Sequence, residues 1–454
     1  MLAQPGQRQT ISVGSLHEGQ VRAYWALREH RFMALRCGRR FGKTEFAMTW
    51  IAQGLLEGME CAWFSPQHMM WSEVFTALNR RLRPIVSHAA KNPGVMRFSN
   101  GARLDFWSLE NPNAGRSRGY QRIVMDEAAF GKNGDLNTDG STMALWQEGI
   151  KPTLFDYGGQ ALVCSNSAGK DPDNFFYDIC TNLKSGFHEF HATTLDNPIL
   201  PKRRRNETVE EWLQRREQYL LELKEGNDPR VYAQEYLAQF VDWAGEAFFD
   251  REKLLDNGKP VAYPRGCDCV FAIIDTASKT GTEHDGTAVT FFAYDSLNKR
   301  TPLLVLDWDV AQIEGATLET WLPSVMRRLD ELGGVCRARL GSAGALIEDK
   351  NSGTILLQQA VKRGLKVQPI DSKLTSLGKD ERAISVSGYV YRGEVKYTAP
   401  AFDKLSLYKG RSRNHLVEQI EGFRLGDKKS EREDDLLDTF CYGIAMALGD
   451  NKGF

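Results

Sequence analysis

Between residues 32 and about 166 the chain alternates short apolar runs with longer mixed segments. The runs are Phe32–Leu35, Cys61–Phe64, Leu104–Trp107, Ile123–Met125 and Ala161–Cys164. Alternation on this scale predicts βαβ units around a largely parallel sheet. The pattern then changes. A basic run, Lys202–Arg205, opens a stretch that reads as helical to about Phe240, with Thr208 and Glu211 spaced as a capping box. Gly245, Asn257, Gly258, Pro260 and Pro264 follow in a loop-like region. The second half restarts with three successive strand-like runs, Val270–Asp275, Thr287–Tyr294 and Leu303–Trp308. A helix over about 316–333, a strand at Ala345–Glu348, a helix, a strand at Leu365–Ile370 and a last helix over about 434–448 complete it.

A length of 454 residues exceeds one ordinary core. We therefore expect an α/β chain with one domain over 1–200, a helical subdomain and linker over 201–260, and a second α/β domain over 261–454. Composition adds exclusions. With 42% hydrophobic and 26% charged residues the chain is neither fibrous nor disordered. Lys and Arg total 58 against 59 Asp and Glu, so nucleic acid can be gripped only through local patches, of which Lys202–Arg205 and Lys404–Arg413 are candidates; both also fit ordinary solvated faces. The 8 cysteines form no disulfide framework, and Cys267-x-Cys269 lacks the second pair of a zinc site. No membrane span and no signal peptide is expected, which points to a cytoplasm.

Arg36-Cys37-Gly38-Arg39-Arg40-Phe41-Gly42-Lys43-Thr44 lies between a predicted strand and a predicted helix. That is the context of a phosphate loop. Gly42 lets backbone amides close on phosphate oxygens, Lys43 reaches the β- and γ-phosphates, and Thr44 can hold Mg²⁺. The strict pattern has Gly where this chain has Cys37. Arg122-Ile123-Val124-Met125-Asp126-Glu127 is an apolar strand ending in two carboxylates. Asp126 is placed for the Mg²⁺ shell and Glu127 to orient or deprotonate the attacking water. Together the two motifs predict a P-loop (RecA/ASCE-like) ATPase domain. Gln20 fits either the adenine edge or an ordinary helix start. Ser165 and Asn166 fit either a γ-phosphate sensor or a helix cap. Arg116 and Arg118 can serve as an arginine finger for a neighbouring subunit or contact DNA phosphate.

The second half carries a different chemistry. Asp275 ends the first strand, Glu348-Asp349 ends the fourth, and Asp434, Asp435 and Asp438 open the last helix, with Asp435 and Asp438 on one face. Carboxylates brought together repel unless cations sit between them, and hard oxygen ligands choose Mg²⁺ or Mn²⁺. Two such ions would support phosphodiester hydrolysis. The order of strands and acids is that of an RNase H-like nuclease domain. Adjacent strand residues point to opposite faces, so only one of Glu348 and Asp349 can face the site.

Taken together, Gly38-Arg39-Arg40-Phe41-Gly42-Lys43-Thr44, Met125-Asp126-Glu127-Ala128-Ala129, Gln234-Glu235-Tyr236-Leu237 and Asp434-Asp435-Leu436-Leu437-Asp438 resemble the large terminase subunit of tailed bacteriophages, from about Gln20 to about Leu448. The resemblance implies a motor that drives viral DNA into a procapsid and a nuclease that cuts concatemeric DNA. By motif position it implies Arg39, Lys43, Thr44, Asp126 and Glu127 for ATP, with Arg39 sensing the γ-phosphate. It implies Asp275, Glu348 and Asp435 for two-metal cleavage, with Asp438 next; similarity to RuvC-like resolvases favours Asp438 over Asp434. Implied cofactors are ATP and Mg²⁺ at both sites, with Mn²⁺ able to substitute. Implied partners are double-stranded DNA, a small terminase subunit, the procapsid portal and further copies in a ring, with a monomer in isolation and no membrane. The implied location is the host cytoplasm, transiently at the portal and not in the mature virion.

Two other readings compete. A P-loop helicase or repair ATPase fused to a nuclease should carry a second RecA-like domain, whereas residues 250–454 carry the nuclease order. A DNA-binding scaffold with decayed sites is opposed by the intact Lys43, Asp126, Glu127, Asp275, Glu348 and Asp435.

Overall fold

The computed structural model describes residues 11, 13–243, 247–276, 286–312, 315–349, 352–425 and 433–449. Gly245 and residues 277–285, Asp285 among them, thus lie outside the described residues. Contacts divide the chain into two units. One runs to Glu222 and includes Pro229–Asp242; the other comprises Leu223–Asp228 and everything from Trp243 onward. Among the described residues, no helix is long and apolar enough to cross a membrane.

The first unit holds an eight-stranded sheet. Its strands are Phe32–Cys37 (β1), Glu60–Ser65 (β2), Val86–Lys91 (β3), Gly94–Phe98 (β4), Arg103–Ser108 (β5), Arg122–Asp126 (β6), Gln160–Ser165 (β7) and His188–Ala192 (β8), in the order β3-β4-β5-β2-β6-β7-β1-β8. All neighbours from β5 to β8 pair in parallel, while β3-β4 and β4-β5 are antiparallel. The apolar runs are continuous because both faces of these strands are covered. Successive side chains divide accordingly. Met33, Leu35 and Cys37 of β1 join one core with Trp63, Val124 and Leu162, while Ala34 joins another with Phe64, Met125 and Val163. Each large side chain buried this way contributes about 1.5–3 kcal/mol.

The five predicted runs of this unit are each a strand, extended by one or two residues. The β3–β4 hairpin and β8 have no counterpart among the predicted runs, since both carry polar residues on exposed or half-exposed faces. Thr208 and Glu211 do form the reciprocal pair expected of them, at 2.8 and 3.2 Å, ahead of the Val209–Glu225 helix.

The second unit's main sheet contains Cys269–Asp275 (β9), Thr287–Tyr294 (β10), Leu303–Ala311 (β11), Ser342–Ile347 (β12), Val367–Pro369 (β13) and Val395–Tyr397 (β14), ordered β13-β12-β9-β10-β11-β14. The strands β9, β10 and β11 form an antiparallel meander, and β12 lies parallel to β9. A separate hairpin joins Ser406–Tyr408 (β15) to Arg411–Arg413 (β16). The Asp435–Leu448 helix, apolar almost all round, buries Leu436, Leu437, Phe440, Ile444 and most of its other side chains. Both predicted α/β layouts are present.

Candidate functional sites: a phosphate loop and a carboxylate cluster

In the first unit, β7 lies between β1 and β6, so three parallel strands end side by side. Their ends carry the phosphate loop, Ser165-Asn166 and Asp126-Glu127. The loop's carbonyls are all engaged by the protein. Cys37 O accepts from Lys43 Nζ (3.0 Å), Gly38 O from Phe41 N (3.2 Å), Arg39 O from Thr194 Oγ1 (2.6 Å) and Arg40 O from Asn197 Nδ2 (2.7 Å). Phe41 O accepts from His17 Nε2 (2.8 Å) and Gly42 O from Gln20 Nε2 (2.9 Å), a pairing that assigns the ring proton of His17 to Nε2. Carbonyls fixed outward, with Arg40 and Gly42 at φ +64° and +95°, make the concave row of amides that binds anions. The Lys43–Leu56 helix starts inside this row and adds its positive end. Gly38 is required here, because a Cβ would run into the Tyr236 carbonyl oxygen and the Thr194 backbone.

Lys43 is buried and donates to Asn166 Oδ1 at 2.8 Å. Thr44 Oγ1 donates to Asp126 Oδ2 at 3.1 Å. Burial above all, and then the neighbouring Glu127 carboxylate, pushes the Asp126 carboxyl up to about 7. Glu127 is half-buried, sits in the left-handed region at φ +53°, and accepts from Ser165 Oγ at 3.1 Å. A non-glycine residue there is strained. The strain turns Glu127 out of the strand while Asp126 stays in it. Gln20 occupies the third position of its helix, accepts from the N-cap His17 N at 3.1 Å and donates to Gly42 O, so one end of its amide caps its own helix and the other supports the loop. Of the two candidate finger arginines, Arg118 lies 3.6 Å from the buried Asp105 and Arg116 lies 3.8 Å from the exposed Glu148.

Sequence reasoning gives Glu235 no role. It is 2% exposed and forms an ion pair with Arg39, while Asn166 Nδ2 donates to it at 3.1 Å. The Gln234-Glu235-Tyr236 run marks the place, but nothing local shows that it folds back onto the loop.

In the second unit Asp275 ends β9, and Glu348 follows the neighbouring end of β12, its amide donating to Ile274 O at 3.2 Å. The Asp275 carboxyl is held well above its usual range, by burial first and then by Asp438, Glu348 and Asp435. Asp438 is also raised, by burial, against the lowering effect of Arg382. Asp275 thus lies within electrostatic reach of the other three acids, and β12, whose end Glu348 follows, is the neighbour of β9 in the sheet. Asp349 is exposed and accepts from Thr354 Oγ1 at 2.7 Å, and Asp434 pairs with Lys379, so the structure sets both apart from the four.

The cluster's donors are hard carboxylate oxygens in a partly dry setting, which fits divalent cations. As arranged, they hold protein partners: Asp435 accepts from Gly286 N (3.0 Å), Glu348 from Tyr442 Oη (3.2 Å), and Asp438 pairs with Arg382. The Glu348 carboxylate beside Asp275 adds to the upward push on the Asp275 carboxyl. Among the described residues no three ligating side chains are gathered as closely as an ion would gather them. The helix start that carries Asp435 is capped from elsewhere, since Gln419 Oε1 accepts from Leu436 N (2.7 Å) and Leu437 N (3.3 Å). Neither Asp434 nor Asp435 is spent on that duty.

Residues 72–256 match the model of the N-terminal part of the terminase large subunit of T4-like virus type. No curated protein matches the chain significantly. Among solved structures, the large terminase of a thermophilic bacteriophage is similar over 97% of this chain and 100% of that one, at 12% identity and a TM-score of 0.61. Its ADP complex aligns over 95% and 99% at 13% identity and 0.63, and its ATP-γ-S complex over 94% and 98% at 13% identity and 0.62. Identity at this level speaks for the fold, and the matched family model speaks for residues 72–256. Over residues 72–256 the chain thus matches the N-terminal part of the terminase large subunit family, and its fold as a whole is similar to that of a phage large terminase.

Proposed function

We propose that this chain is a viral DNA-packaging motor in which ATP hydrolysis in the first unit drives double-stranded DNA into a procapsid, and a two-metal endonuclease in the second unit cuts concatemeric DNA. One observation carries the reading. The same chain holds Lys43, Thr44, Asp126 and Glu127 at one edge of a parallel sheet, and Asp275, Glu348, Asp435 and Asp438 at one edge of an RNase H-like sheet. The thermophilic-phage relative was solved with ADP and with ATP-γ-S, which supports a nucleotide here.

The loop amides and Lys43 bind the β- and γ-phosphates, and Thr44 with Asp126 would hold Mg²⁺. Arg39 senses the γ-phosphate, Gly42 gives the loop its turn, and Gln20 supports that turn from below. Glu127, steadied by Ser165, takes the proton of the attacking water as the water oxygen bonds to the γ-phosphorus, the bridging P–O bond breaks, ADP keeps that electron pair and phosphate is released. In the second unit Asp275, Glu348, Asp435 and Asp438 would hold the metal, with Asp438 giving up its pairing with Arg382 as it does so. Mg²⁺, or Mn²⁺ in its place, supplies there a water of lowered pKa and neutralises the leaving oxygen. The remaining partners are a small terminase subunit, the portal and further copies in a ring, in the host cytoplasm.

Plasmid cleavage with Mn²⁺ or Mg²⁺, measured beside ATP turnover, tests the reading. Lys43→Ala should abolish ATP turnover and leave metal-dependent cutting; Asp275→Ala and Asp435→Ala should do the reverse. Loss of both activities in all three folded variants would sink the two-engine picture.

A further inference from the structure

The nucleotide site contains a buried carboxylate with no part in the chemistry above. Glu235 is 2% exposed, while its partner Arg39 is 43% exposed and reaches it with Nε. Their backbones are also joined, Arg39 N donating to Glu235 O at 2.7 Å. The backbone contact and the Thr194 bond to Arg39 O fix where the arginine starts, so a change of partner falls to its side chain alone. Glu235 has other donors within reach: Asn166 Nδ2 at 3.1 Å and Gln234 Nε2 at 3.2 Å. Asn166 also accepts from Lys43, so an anion drawing on Lys43 acts on the same chain of contacts.

We propose that Glu235 is the resting partner of Arg39 and a positioning residue for it. Without a γ-phosphate the guanidinium lies on Glu235; with one it transfers to the phosphate, and Glu235 remains held by Asn166 and Gln234. This rests on the ATP reading given above. The exchange is feasible because the group left behind is not stranded. A buried carboxylate losing its only partner would be strongly destabilising, whereas one that keeps two amide donors stays satisfied. Arg39, being half exposed, moves without crossing a dry core. The Tyr232–Tyr236 turn that carries Glu235 thereby reads whether a triphosphate or a diphosphate is bound, a few residues before the chain passes into the second unit.

The test is the affinity of the full-length protein for fluorescent ATP-γ-S and fluorescent ADP. Glu235→Gln removes the competing charge and keeps the shape, so ATP-γ-S should bind about five- to tenfold more tightly while ADP stays within about twofold. In an Arg39→Gln background the same substitution should change neither. Affinities that move together, or not at all, would overturn the proposal, because a merely structural Glu235 has no means to tell the two nucleotides apart. If Glu235→Gln does not fold, Glu235→Asp draws the acid back by one methylene and should shift the ratio in the same direction by less; an unchanged ratio would again overturn it. Wild type and Lys43→Ala separate the two levels. A wild-type protein that binds neither nucleotide defeats the ATP reading itself, whereas normal binding with an unmoved ratio defeats only the role of Glu235.

Discussion

The two units solve opposite electrostatic problems with the same device, polar groups at the ends of neighbouring strands. In the first, a buried Lys43, a row of backbone amides and a half-exposed Arg39 surround a place for negative charge, and the carboxylates Asp126 and Glu127 stand to one side of it. In the second, Asp275 feels the charges of Asp438, Glu348 and Asp435, and Arg382 balances Asp438. Burial raises the carboxyl of Asp126 in one and of Asp275 in the other, but only Asp126 has a lysine opposing the shift. One site is built to receive an anion that brings a cation with it; the other is built to receive cations alone.

That contrast breaks most sharply at Glu127. Glu127→Gln keeps the shape and the Ser165 bond but removes the base, so steady-state ATP turnover should fall by about 10²–10⁴ with nucleotide binding and plasmid cutting intact. Equal loss of cutting would mean that the two sites do not act separately. A smaller effect sharpens the second site. Glu348→Gln should lower cutting by about a hundredfold, and Asp349→Asn should stay within about twofold, in side-by-side gel assays with Mn²⁺. The reverse order would put the wrong acid in the cluster.

The smallest effect is on stability. The folded value of Asp126, about 7, lies above its ordinary value of 3.8. Protonation therefore stabilises the nucleotide-free fold fully below about pH 3.8, and that contribution is lost as pH rises through about 7. Asp126→Asn cannot lose it. Its melting temperature should overtake that of wild type as pH rises, at about 2–4 °C for each kcal/mol involved. Parallel curves would show that the carboxyl titrates normally.

What could be read from the sequence followed the physics of each signal. Strands covered on both faces announce themselves as apolar runs, and a chemistry-bearing residue at the end of a run is visible because it interrupts that run, as Asp126 and Asp275 do. Edge strands such as His188–Ala192 escaped because a half-solvated strand need not be apolar. Partners distant in sequence escaped altogether. Glu235 meets Arg39 across 196 residues, and Gln419 caps a helix beginning 16 positions on, with no local pattern to betray either. The sequence also left open which of Asp434, Asp435 and Asp438 share the cluster, since neighbours on one helix are separated only by where the sheet beneath them lies.

The place of β7 has one further consequence. A single strand interposed between β1 and β6 acts as a gauge block, holding the lysine-bearing loop and the acidic strand end two strand spacings apart, about 9–10 Å. The width of the slot is thus fixed by hydrogen-bond ladders on both sides of β7, not by any side chain that a mutation can trim. Ser165 and Asn166 form its floor, and a slip of β7 by one residue would turn that floor over and present the other face of the strand.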